Sequence, residues 1–171
     1  MLDFAWIISI QIACDWNNSQ QNFTVPVYGI LCNKSSFQFF LFDGSTKSLS
    51  FFRGAFPGDP LLLRWGLELP NFIKTENACP FIRSLRTICE TVFDLLLRGY
   101  ISSVGAYRDR SAKRSSEQSK PSKNLDKWDE ALKSANEALG KFRDADVKRQ
   151  NKDRAGAKEH VQEALIALKF R

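Results

Sequence analysis

The side chains able to do chemistry are few and scattered. Histidine occurs once, as His160, on a charged stretch with no serine or cysteine beside it, so solvation is its default state. The four cysteines, Cys14, Cys32, Cys79 and Cys89, form no Cys-x-x-Cys pair. A zinc site needs about four clustered Cys/His ligands, and this spacing does not supply them. Buried free thiols in a reducing compartment are the simpler reading. Arg53 and Arg64 flank a loop carrying Phe56 and Trp65. Such a set can stack a base or hold a phosphate, although arginine stems also simply cover apolar surface. Asp43 and Asp59 each adjoin a glycine, where a turn favours Asp. The sequence carries no Walker A loop, GxGxxG, HExxH or GxSxG.

These side chains depend on the elements that position them. Val25, Val27 and Leu31 alternate with Tyr28, Ile30 and Cys32 along one strand, and Phe37, Phe39 and Leu41 alternate with Phe40 and Phe42 along the next. Both faces are apolar, so the sheet should be covered on both sides. Asp43-Gly44 predicts a tight type I′ turn. A third strand at Ser48 to Arg53 completes a meander, and Leu61 to Leu69 reads as a strand or turn. Phe4 to Cys14 fits a strand by its alternating Trp6, Ile8, Ile10 and Ile12, and equally a buried helix by its all-round apolarity.

Ala78 to Val104 predicts a long helix, with Asn77 as cap, Pro80 in the first turn and Gly105 at the end. Phe81, Leu85, Ile88, Val92 and Leu96 form one apolar stripe, and Ile82, Cys89, Phe93, Leu97 and Tyr100 a second, which implies deep burial. Trp128, Leu132, Ala135, Leu139 and Phe142, then Ala157, Val161, Ala164 and Leu168, predict a helical hairpin turning near Gln150 to Asp153. Its narrow stripes are marginal against ordering entropy, so it should dock, pair or fray. The fold class is therefore α+β: a three-stranded antiparallel meander packed against one long helix and, with Phe4 to Cys14 taken as helical, an N-terminal helix, plus a C-terminal helical hairpin.

The formal net charge of +6 is unevenly spread. Residues 1–107 hold eight basic and eight acidic side chains, whereas residues 108–123 hold six against two. That segment, "RDRSAKRSSEQSKPSK", lacks large apolar residues and reads as a basic flexible linker between a 1–107 unit and a 124–171 hairpin. Arg108, Arg110, Lys113 and Arg114 could touch nucleic acid weakly and without sequence preference. The hairpin offers a surface for a protein partner. No run of about 18 predominantly apolar residues occurs, so no spanning helix is expected.

The order "Q-x-x-C-D-W … VPVYGILCNKSSFQFFLFDGS", followed by "FIRSLRTICETVFDLLLRGYISS", resembles the restriction-endonuclease-like PD-(D/E)XK superfamily in a fungal form. The resemblance covers about two thirds of the chain, through mostly hydrophobic motifs. It implies that Phe4 to Asp15 is a helix bearing the superfamily's glutamine, Gln11, and that Pro26 to Asn33 and Phe37 to Phe42 are the hairpin after it. It also implies that the metal-binding Asp and the Glu-x-Lys pair should precede Gln11, where the sequence has neither pattern. Phosphodiester cleavage on Mg²⁺ needs converging carboxylates. The resemblance thus implies an N-terminally truncated, non-catalytic unit with no cofactor and a binding role.

An alternative is a Mg²⁺-dependent nuclease completed by upstream strands or another chain. A second alternative is a small secreted glycoprotein, given the sequons at Asn17, Asn22 and Asn33. The apolar start lacks the positive n-region of a leader and carries Asp3 instead, which together with the unpaired cysteines points inside the cell, in nucleus or cytoplasm.

Overall fold

In the computed structural model, residues 4–32, 36–44, 50–53, 66–68, 78–118 and 125–168 are described. The fold is α+β, with four helices and an antiparallel sheet among these residues. The chain's contacts divide it into two units, Met1–Gly99 and Tyr100–Arg171, a boundary ahead of the residue 107 suggested by composition.

In the first unit, α1 (Phe4–Gln20) precedes β1 (Val27–Cys32), β2 (Ser36–Asp43), β3 (Ser50–Arg53) and β4 (Gly66–Glu68). The open question over the N-terminal run is thus resolved as helix. α1 stops because Asn22 adopts φ 58°, in the left-handed region. The Phe23 N–H then bonds back to the Asn18 carbonyl at 2.9 Å and the Asn22 N–H to the Ser19 carbonyl at 2.9 Å, the paired bonds of a Schellman motif. Asn can take this place because its short polar side chain tolerates that conformation.

β2 lies at the centre, with β1 and β3 antiparallel on either side of the meander. β4, within the Leu61 to Leu69 stretch that reads as a strand or turn, also pairs with β2, Phe37 opposite Leu67, and adds to the three-stranded meander. Asp43 pairs with Ser50, so a two-residue turn at Asp43-Gly44 does not join β2 to β3. Gly44 instead serves close approach: a Cβ there would lie 2.5 Å from the Asp15 carboxylate. Phe39, Leu41 and Leu95 form the buried core on one face, with Tyr28, Phe37, Phe52 and Val92 packed around them. Phe40 and Phe42 are buried on the other face, where the Phe40 ring stacks on Phe51 at 5.7 Å. Two-sided burial holds for β2, but Ile30 and Cys32 on β1 are exposed. The expectation that the whole hairpin is covered therefore fails at β1, which among the described residues pairs with β2 alone.

α2 (Ala78–Gln118) starts where the sequence predicts and ends far beyond it. It passes through Gly105, and residues 108–118 of the presumed linker are helical; residues 119–123 and the Asn77 cap lie outside the described residues. The physical reason is composition. Arg, Lys, Ala, Glu and Gln are good helix formers, and one helical glycine costs only about 1 kcal/mol. Burial along α2 is one-sided through much of its length. Ile88 of the first stripe and Leu97 of the second are buried, as is Leu95 between them, whereas Leu85 and Leu96 of the first and Ile82, Phe93 and Tyr100 of the second are exposed, so neither stripe is buried along its whole length as expected.

In the second unit, α3 (Leu125–Gln150) and α4 (Arg154–Ala167) form the helical hairpin, turning at Asn151–Asp153 as the pattern predicts. Its seam is alanine: Ala131, Ala135, Ala138 and Ala145 on α3 are buried, as are Ala157 and Ala164 on α4. Trp128, Leu132 and Leu139 are only half-buried beside it. Alanine loses no side-chain entropy on burial and lets helix axes come close, which offsets the small area each one buries. The turn repeats the chemistry of the α1 end. Lys152 takes φ 62°, and Asp153 N–H bonds back to the Lys148 carbonyl at 2.9 Å. Among the described residues no helix is long and apolar enough to cross a membrane.

Lys152 pays a steric penalty that glycine would not. Lys152→Gly should therefore stabilise the hairpin by about 0.5–1 kcal/mol, seen as a higher melting midpoint of the far-UV circular dichroism signal. A lower midpoint would contradict the left-handed assignment.

Candidate functional site

Gln11 is the one polar side chain of α1 driven into the core, at 1% exposure. Its Nε2 donates to the Val27 carbonyl at 2.9 Å. It can reach that carbonyl because the next strand residue but one is Gly29: a Cβ at Gly29 would lie 2.7 Å from Gln11 Nε2 and 3.4 Å from Ile7 Cδ1. Glycine here makes room for the glutamine. Gln11 Oε1 is buried and has no hydrogen-bond partner among the described residues. A single amide oxygen is a poor magnesium site, and among the described residues no three His, Cys, Asp or Glu side chains are grouped to hold a metal ion.

With Gln11 and Ile7 turned inward, the opposite side of α1 faces outward, and its large side chains are apolar. Trp6 is 69% exposed, Ile10 47%, Ile12 48% and Trp16 66%. Asp15, the only charged residue of α1, does not share this face; its carboxylate lies against the bare backbone of Gly44. The face was hidden in the sequence because its residues read equally as an alternating strand or a buried helix. Only the place of Gln11 at its back shows which side is outward.

The six cations considered for nucleic acid do not all fall in one unit. Arg53 is exposed at the end of β3 in the first unit, and Arg64 lies outside the described residues. Arg108, Arg110, Lys113 and Arg114 are on α2 in the second unit. There Arg108 is bound by Asp129 and by Asp109, the latter at 3.2 Å, which neutralises much of its use to a phosphate. Tyr107 stacks on Trp128 at 6.0 Å and 16°, an aromatic contact that joins this part of α2 to α3. All four cysteines are free and exposed, which corrects the expectation of buried thiols.

His160 stands with its Nδ1 3.4 Å from Glu163 Oε2. Glu163 in turn accepts from Lys141 Nζ at 2.5 Å, across the hairpin. The Lys141 ammonium holds the Glu163 carboxyl below the ordinary carboxylate range, against the opposing effect of partial desolvation, and the same pair raises Lys141. Asp153 caps α4 by accepting the Gly156 N–H at 2.9 Å, and that bond, with Lys148 nearby, lowers its pKa too. Sequence reasoning missed this cap, although Asp followed by a helix-forming run is a recognisable start signal.

No family model matches the chain, and no curated protein and no solved structure matches it either.

The two lowered carboxylates give the hairpin a pH dependence of defined sign. Their contribution is present above the ordinary carboxylate range, about pH 4, and is lost as acid drops the pH through their lowered values. The raised Lys141 contributes at neutral pH and loses its part only in strong alkali. The melting midpoint should hold near neutrality and fall below about pH 4. An Asp153→Asn, Glu163→Gln double variant should start lower and show a shallower fall, and an unchanged slope would contradict these assignments.

Proposed function

We propose that this protein acts by binding a protein partner, on a non-catalytic, nuclease-like scaffold. The observation that carries this reading is the outward face of α1, where two tryptophans and two isoleucines stand in water with no charged residue among them. Large exposed apolar side chains grouped on one helix face mark interaction sites in folded proteins. The exposed Ile82, Leu85 and Leu96 of α2 extend the apolar character of the first unit. The order helix, strand, strand, with Gln11 packed on the VYG strand, agrees with what the superfamily resemblance implies and supports a scaffold of that type. The alanine-seamed hairpin is a second helical element available to a partner. Four exposed, unpaired thiols support a reducing, intracellular setting.

Two measurements on the purified chain test this. Supercoiled plasmid with Mg²⁺ should remain uncut, and nicking abolished by EDTA would overturn the non-catalytic reading. An apolar dye should bind the folded chain, and a Trp6→Ser, Trp16→Ser variant of unchanged helicity should bind much less. Equal dye binding by both would remove the α1 face from the account.

A further inference from the structure

The types of residue on the outward face of α1 are arranged symmetrically about Gln11. Trp6 and Trp16 lie at equal distances before and after it, as do the small Ser9 and Ala13, and again Ile10 and Ile12. All six are exposed. At about 100° per residue, each pair also falls at equal angles either side of the line opposite Gln11. The face therefore has an approximate two-fold symmetry of its own, and it is symmetric about the residue that fixes the helix to the sheet.

We propose that the occupant of this face is the same face of a second copy of this chain, laid antiparallel across it; this names the partner within the binding reading above and rests on it. In that arrangement Trp6 comes level with Trp16 of the second copy, and Ser9 with Ala13 of the second copy. Bulk at both ends meets bulk, and the small central residues let the helix axes approach to about 8 Å. Antiparallel helices also oppose their dipoles favourably. The face carries no charge to repel its twin and none to select a charged stranger.

The area is adequate. With about 250 Å² for a whole tryptophan surface, the four large side chains leave on the order of 400–500 Å² of apolar surface open. A standard interface buries about 800 Å² per partner, of which some 56–65% is apolar. The α1 face alone thus approaches the apolar share of one side of such an interface. A two-fold pair uses the same patch twice, as the commonest oligomers do.

The test is the mass of the full chain in solution, by sedimentation or light scattering across micromolar concentrations. A concentration-dependent dimer is expected. In the antiparallel pair, residue 10 of each copy lies beside residue 10 of the other. Ile10→Lys and Ile10→Glu should each be monomeric, and an equal mixture of the two should recover the dimer. Should either variant lose helicity, Trp16→Ser gives the same reading, with self-association about tenfold weaker or more. Single variants that still dimerise, or a mixture that stays monomeric while Trp16→Ser dimerises normally, overturn the arrangement. A wild type that stays monomeric yet binds the apolar dye overturns self-pairing and leaves the protein-binding reading standing. A chain that does neither overturns both.

Discussion

A glutamine packed onto a glycine sets the geometry of the first unit. Burying an amide costs free energy unless its hydrogen bonds are met, and Gln11 meets one through the Val27 carbonyl at 2.9 Å. That contact is possible only while Gly29 has no side chain, since a Cβ would come within 2.7 Å of the amide nitrogen. The contact settles the rotation of α1 about its axis. Once Gln11 and Ile7 face the sheet, Trp6, Ile10, Ile12 and Trp16 have nowhere to go but outward. Gly44 repeats the device at the other end of the helix, where a missing side chain makes room for Asp15. The exposed apolar face is thus a consequence of how the core was built.

The architecture was largely legible from hydrophobic period. β1 and β2 alternate clearly, the start of α2 coincides with the onset of its stripe, and the hairpin turns where its pattern breaks. The errors have physical causes. Gly105 is a weak stop signal, and the polar stretch after it is rich in good helix formers, so α2 runs on to Gln118. Asp-Gly suggested a tight turn, but the register of Asp43 with Ser50 leaves a longer connection. Both turn-making positions with left-handed φ, Asn22 and Lys152, lack the glycine that would have announced them. Exposure was the least legible property. An apolar residue reads the same whether it faces a sheet or water, which is why the pattern does not separate the buried from the exposed members of either α2 stripe, or show the cysteines outside.

The second unit holds together differently. Its seam of alanines buries little area per residue, and the large side chains sit half-covered along its margins. Close helix approach, the Asp153 cap and the Lys141–Glu163 pair share the work that a leucine core would otherwise do. Arg108 with Asp129, and Tyr107 with Trp128, tie the distal part of α2 to the start of α3. The basic residues that give the chain its net charge are partly spent on such internal pairing.

The orientation of the outward face follows from one glutamine side chain lying on one bare backbone position. The nuclear Overhauser spectrum of the labelled chain probes that directly. A strong cross-peak between the Gln11 side-chain amide protons and the Gly29 α protons, with slow exchange of that amide, is the predicted result. A Gln11 amide that exchanges at the rate of free glutamine and shows no contact with Gly29 would mean that α1 is turned some other way, and the account would fail.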